Sequence, residues 1–302
     1  MSRAPAASAQ APLRLWAQEE EFCQLCGNYV GPYPGEVPGQ PDDEGAADRP
    51  RGRLRRVFRR MVKTAAFLLV LAATAIGVLA ATTPSAGQAT TLAQALARSR
   101  HISWPGPPVP ERFAQALVAT EDHRFYGEPG IDPLAVGRVL FAKVTGGPDQ
   151  GGSTIEYQLA RMLYKSVGSS GLATEAQNAA LAVKLNLTYS KQQILALYAE
   201  AAYFGQGYYG LQAAACGYFG RPPATLTVAQ AALLAGLVNA PSADDPLVYP
   251  AAARSREQHV LSRMIATGYL TPAEAARALR QPLGLIPTAP VAGGAPGCAE
   301  PA

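Results

Sequence analysis

Residues 121–133 read EDHRFYGEPGIDP, and residues 150–161 read QGGSTIEYQLAR. The first string ends an apolar helical run that starts at Pro110 and Glu111 and passes through Phe113, Leu117 and Val118. It closes on two adjacent acids, Glu121 and Asp122, then aromatics, then a turn with Gly and Pro. Carboxylates at a helix C-terminus oppose the helix dipole. Such a placement is either solvated charge at a helix end or a local rule broken for function. In the second string two glycines precede Ser153 and Thr154 at a predicted helix start, with Ser153 as the cap and Ile155, Leu159 and Met162 on the apolar side. Unbonded N–H groups, hydroxyls and the positive dipole end suit an anion there, with Arg161 about two turns further on. No Gly-Lys-Ser/Thr follows, so the string is not a Walker phosphate loop.

Outward from these strings the hydrophobic period stays helical. Pro133 fits the first turn of a helix through Val136, Val139 and Leu140. Leu172 to Leu187 and Ser190 to Ala202 read as two more helices. Capping boxes are expected at Ser190 with Gln193, Thr227 with Gln230, and Thr271 with Glu274. No run alternates with period two, so the folded part is predicted to be mainly α.

Residues 1–50 carry no sustained apolar period and read as a disordered tail. Residues 51–63, RGRLRRVFRRMVK, hold seven cations. Residues 64–82, TAAFLLVLAATAIGVLAAT, are uncharged and reach roughly 28 Å as a helix, enough to span a bilayer core. A dense basic flank on one side only predicts a single-pass protein with its N-terminus in the cytoplasm. A cleaved signal peptide would begin near residue 1. Residues 83–103 read as a linker, 104–280 as the folded domain and 281–302 as a second disordered tail. The net charge of +4 comes mostly from the basic cluster, so no nucleic-acid partner is indicated. Cys23 and Cys26 form a lone C-x-x-C, half of a zinc site and a weak metal candidate. Cys216 and Cys298 stand too far apart in sequence for a disulfide to be asserted.

Taken in order, the two opening strings resemble the peptidoglycan glycosyltransferases of glycosyltransferase family 51. The family pattern E-D-x-x-F-x-x-H-x-G is met by Glu121, Asp122, Phe125 and Gly130, with Glu128 in place of His. The pattern G-G-S-T-x-T-Q-Q-L-x-K-N is met by Gly151, Gly152, Ser153, Thr154, Gln158 and Leu159. There Glu156 and Tyr157 replace Thr-Gln, Arg161 replaces Lys and Met162 replaces Asn. YSKQQILALY (residues 189–198), YFGQGYYGLQAAACGYFGR (203–221), AALLAGLVNAPS (231–242) and Arg256, Val260, Leu261 and Met264 also resemble family segments. The third pattern, R-K-x-x-E-x-x-x-A, is broken. Thr174 and Glu175 stand at Arg-Lys, and Asn178 stands at the family's second Glu.

The resemblance implies a lysozyme-like, mainly α glycosyltransferase domain of the monofunctional type behind one transmembrane helix. It implies polymerisation of a lipid-linked disaccharide precursor into nascent glycan, with inversion, Glu121 as general base, and Asn178 at the lost second acid. Asp122, Phe125, Ser153, Thr154, Gln158, Arg161 and Lys191 would bind substrate and diphosphate, with Lys184 as a further cation. A diphosphate leaves readily and needs charge neutralisation more than a proton, which a divalent cation, magnesium or manganese, would also supply. The implied partners are the bilayer and other cell-wall synthesis proteins, and the implied location is the bacterial cytoplasmic membrane with the domain outside. Aromatics such as Phe141, Tyr203, Phe204, Tyr208 and Tyr209 either contact lipid or pack in the core. The lost acid and basic pair keep a second reading open, a catalytically inactive homologue that binds glycan, precursor or a wall-synthesis partner. Glycan cleavage by a lone Glu is a third.

Overall fold

The computed structural model describes residues 51–132, 153–164, 171–287 and 298. The tail carrying Cys23 and Cys26, the helix expected from Pro133, Phe141, and the glycine pair at 151 and 152 lie outside the described residues. Compactness divides the chain into two units, 1–61 and 62–302. Of the first, the described residues are the opening turns of α1 (Arg51–Thr82).

α1 is long and apolar enough to cross a membrane. Its apolar side chains have no protein cover: Phe67, Leu69 and Ile76 are 67%, 71% and 67% exposed. A helix apolar all round and uncovered suits hydrocarbon rather than water. Its last carbonyls are capped from within the second unit, where Lys184 Nζ donates to Ala80 O at 2.8 Å and Thr83 O at 2.8 Å. Lys184 therefore closes a helix C-terminus and does not join the cations expected around a diphosphate.

The segment 83–103, expected as a linker, contains a 3₁₀ turn, Ala86–Gln88, and α2 (Ala89–Ser99). Ala89, Ala93 and Ala97 recur every fourth residue and are buried. Alanine carries little hydrophobicity per residue, so a stripe of it reads as a bland stalk until a partner surface is seen. The hydroxyls of Tyr164 and Tyr189 donate to Ala86 O at 3.1 and 3.2 Å and pin the turn down.

The remaining described helices are α3 (Glu111–Glu121), α4 (Ile155–Leu163), α5 (Leu172–Thr188), α6 (Lys191–Ala201), α7 (Leu211–Phe219), α8 (Val228–Leu237), α9 (Pro250–Ala266) and α10 (Pro272–Arg280). Among the described residues there is no strand, only an isolated antiparallel bridge between Tyr203 and Tyr209. The mainly α expectation holds, and all three capping boxes form. α8 is buried from Ala229 through Leu237. It packs against α3 and α9, while α4 packs against α5 and α6. Phe204 and Tyr208 join the core at 0% and 1% exposure, which decides for packing over lipid contact at those two positions.

The C-terminal tail is not detached over its described part. Ile286 N donates to Tyr218 O at 2.8 Å, and Gln230 Nε2 donates to Leu283 O at 2.9 Å. Cys298 is disulfide-bonded to Cys216 across a sequence separation of 82. Cross-linking so long a loop removes entropy from the unfolded chain, typically about 2–4 kcal/mol of stabilisation. Cys298→Ser is therefore expected to lower unfolding stability by about 2–4 kcal/mol, read as a fall in urea midpoint under non-reducing conditions. Reductant should lower wild type to the same midpoint and leave the variant unmoved. Equal midpoints for untreated wild type and variant would show that the bond does not form.

Candidate active site

α3 ends where Asp122 leaves helical geometry, at φ −159° and ψ 77°. That break aims Glu121, the last helical residue, into a cleft of about 800 Å³, within the size range of small-molecule sites. Glu121 Oε2 accepts from Gln158 Nε2 at 2.9 Å. Its Oε1 accepts from an Arg256 Nη2 at 3.4 Å. Both oxygens act as acceptors, as a carboxylate must, and each keeps a second lone pair. The Arg256 contact is long because the guanidinium is anchored elsewhere: its Nε donates to Gly236 O at 3.1 Å. A Cβ on Gly236 would stand 2.7 Å from Arg256 Cγ, so this glycine makes room for the arginine.

Gln158 is itself oriented. Tyr198 donates its hydroxyl to Gln158 Oε1 at 2.7 Å, which turns the amide nitrogen toward Glu121. Burial, and then the nearby Glu121 charge, push the Tyr198 phenol well above its usual value, so it keeps the proton it donates. Tyr198→Phe removes that hydroxyl and leaves a half-buried acceptor without its donor. The expected result is a loss of about 1–3 kcal/mol in stability, together with a turnover drop of roughly tenfold as Gln158 loses its fixed orientation. Unchanged turnover in a purified-enzyme assay would show that Gln158 needs no such support.

At the start of α4 the expectation changes in detail. Thr154, not Ser153, is the N-cap, accepting from Tyr157 N at 3.1 Å and donating to Gly130 O at 2.7 Å. Ile155 N is taken by Asp122 Oδ2 at 3.2 Å. The helix start thus already holds one of the protein's own carboxylates, and the Thr154 proton is spent on the EDHRFYGEPG turn. What faces the cleft is the exposed Ser153, together with Arg161, His123 and His259. Arg161 makes no ion pair among the described residues, whereas Arg124, on the same wall, pairs with Asp132.

The other expected site residues lie apart. Phe125 is fully buried, with Lys191 Nζ 4.5 Å over its ring. Lys191 does not line the cleft; it donates to Glu156 Oε1 at 2.7 Å and to Glu128 O at 2.8 Å. Asn178 is buried on α5 and is also absent from the cleft lining, and Glu175 is exposed. At the cleft wall, burial and then the neighbouring Glu128 push the Asp122 carboxyl up to about 7, against the opposing effects of the Ile155 amide and Lys191. Burial raises Glu156 as well, with Lys191 opposing.

A family model described as transglycosylase matches residues 88–265, more than half of the chain. The chain belongs to the transglycosylase family. Penicillin-binding protein 1A of Haemophilus influenzae is 41% identical over 176 residues, 58% of this chain and 20% of that protein. A Cupriavidus necator protein whose name gives it as a transglycosylase is 39% identical over 177 residues, 59% of this chain and 76% of its own length. A solved structure of penicillin-binding protein 1A from Haemophilus influenzae aligns with 62% of this chain and 19% of its own, at a TM-score of 0.38 and 24% identity. The match thus spans about a fifth to under a third of the penicillin-binding proteins it aligns with. Membership rests on the sequence matches.

Two residues of the transglycosylase cleft escaped the sequence reading as site members, Arg256 and Tyr198. Each had appeared in a family-like stretch, but neither stretch shows locally which way its side chain turns. They reach Glu121 and Gln158 from α9 and α6, across separations of 135 and 40 residues.

Proposed function

We propose that the transglycosylase domain polymerises a lipid-linked disaccharide into glycan strands. The acceptor sugar hydroxyl attacks the anomeric carbon of the growing chain and gives its proton to Glu121. The new glycosidic C–O bond forms as the bond from the anomeric carbon to phosphate breaks, with inversion, and the electron pair leaves on the polyprenyl diphosphate. The observation that carries this reading is the Glu121 carboxylate, held at the cleft wall by Gln158 and Arg256 with lone pairs left over for a hydroxyl. A base needs that reach before anything else.

The leaving diphosphate needs positive charge. Arg161, unpaired and exposed, supplies it, with Ser153 on the same cleft as a donor. Of the described acids on the cleft wall, Asp132 pairs with Arg124 and Glu121 accepts from Gln158 and Arg256, so neither is a free ligand for a divalent cation beside the diphosphate. No step is therefore assigned to a metal in the cleft.

The apolar α1, its basic flank and a disulfide that needs an oxidising compartment support a membrane anchor with the N-terminus in the cytoplasm and the domain outside. An anchored catalyst and a lipid-anchored substrate then meet on one surface, where other wall-synthesis proteins are the natural partners.

One observation favours a second reading, a homologue that binds without catalysis. Asn178 stands where the family pattern has an acid and does not line the cleft, so no acid from α5 joins Glu121 among the described lining residues. The purified full-length protein in detergent, given lipid-linked disaccharide, decides between them. Polymer on a gel supports transfer; no polymer across varied pH and metals, beside a working control enzyme, leaves the binding reading.

A further inference from the structure

Two departures from the family motifs, Glu128 for His and Glu156 for Thr, lie on different segments and meet in the fold. With Asp122, each presents one carboxylate oxygen within 4.8 Å of the others. Glu156 is 0% exposed, and Asp122 and Glu128 are each 8% exposed. Lys191 touches Glu156 Oε1 and the Glu128 main-chain oxygen. No N–H donor reaches either carboxylate oxygen of Glu128, or Glu156 Oε2, and the Glu128 carboxyl lies against that of Asp122. With all three ionised, three carboxylates against one ammonium would leave two negative charges uncompensated in a buried place, which the interior does not tolerate without a counter-charge or protons.

We propose that Asp122, Glu128 and Glu156 hold one hard divalent cation. Oxygen donors alone select Ca²⁺, Mg²⁺ or Mn²⁺ over softer metals. Ligand distances of roughly 2.0–2.6 Å hold the oxygens around one ion to no more than about 4–5 Å apart, and these three lie within 4.8 Å of one another. A double positive charge balances the residue count, and the unpartnered Glu128 oxygens supply the remaining lone pairs. Glu128 also lines a surface groove with Tyr126 and Pro129, with its carboxylate oxygens turned inward. The bound ion would tie the turn after α3 to the first turn of α4, where Asp122 already holds Ile155 N and from which Gln158 reaches Glu121. It would hold the site in register without touching substrate. The inference is independent of glycosyl transfer, since a non-catalytic homologue would bind the ion equally well.

The test uses the full-length protein in detergent, stripped with chelator and titrated with Mn²⁺ alone. Free Mn²⁺ is followed by its electron paramagnetic resonance signal, and the unfolding midpoint is followed with Mn²⁺, Ca²⁺ and Mg²⁺ in turn. One Mn²⁺ per chain and a midpoint that rises with divalent cation are expected. Glu128→Gln should weaken Mn²⁺ binding by about tenfold or more. The double variant E128H/E156T, which carries the family's own residues and is expected to fold, should show neither binding nor a cation-dependent midpoint. No bound Mn²⁺ in wild type, as a proton shared between the carboxyls would produce, overturns the proposal. Equal binding by wild type and double variant overturns it too.

Discussion

Glu121→Gln is expected to lower the rate of glycan polymerisation by about 10²–10⁴-fold, the range of a single general base. The substitution keeps the size and shape of the side chain and removes its capacity to take a proton. Structural damage should be small. One amide oxygen still accepts from Gln158, whose direction is set by Tyr198 from the other side. Arg256 loses an acceptor at 3.4 Å but keeps Gly236 O, and its side chain is 18% exposed. A stability change of about 1 kcal/mol follows. The informative result is therefore a pair: turnover collapses while the thermal midpoint barely moves. Turnover within a few-fold of wild type would place the base elsewhere. A collapse of both would assign Glu121 to packing.

Gly130→Ala is expected to cost about 3 kcal/mol or more in stability, with activity falling alongside. Gly130 has φ +90°, a conformation that L side chains rarely adopt. A Cβ there would stand 2.5 Å from Ala182 O and 2.9 Å from Ala182 C, main-chain atoms of α5 that cannot swing aside. The Gly130 carbonyl accepts the Thr154 proton, so displacing the turn also disturbs the cap of α4 and, with it, the helix that carries Gln158. Urea denaturation reads the loss, and a change below about 1 kcal/mol would mean that the turn and α5 do not meet as described.

Much of the local architecture was legible from the chain. The capping boxes at Ser190, Thr227 and Thr271 formed as read, because a cap depends on residues three apart. The one-residue shift from Ser153 to Thr154 was not legible. Both hydroxyls can cap, and the choice fell to a long-range acceptor, Gly130 O. Lys184 and Lys191 looked like cations for a diphosphate, since sequence shows charge but not reach. The fold turns one onto the end of α1 and the other onto Glu156. The alanine stripe of α2 was missed because small side chains signal burial only once something covers them.

By itself the sequence determined the helical class, the apolar span with its basic flank and the family, and it singled out the acid at position 121 as the candidate base. These reside in periodicity, length and short motifs, which neighbouring residues spell out. Only the tertiary structure decided which groups share the cleft with Glu121, which lysines are already engaged, that Cys298 reaches Cys216, and that Glu128 and Glu156 gather beside Asp122. Those facts depend on side chains converging from distant segments, and their directions are set by packing that no local pattern records.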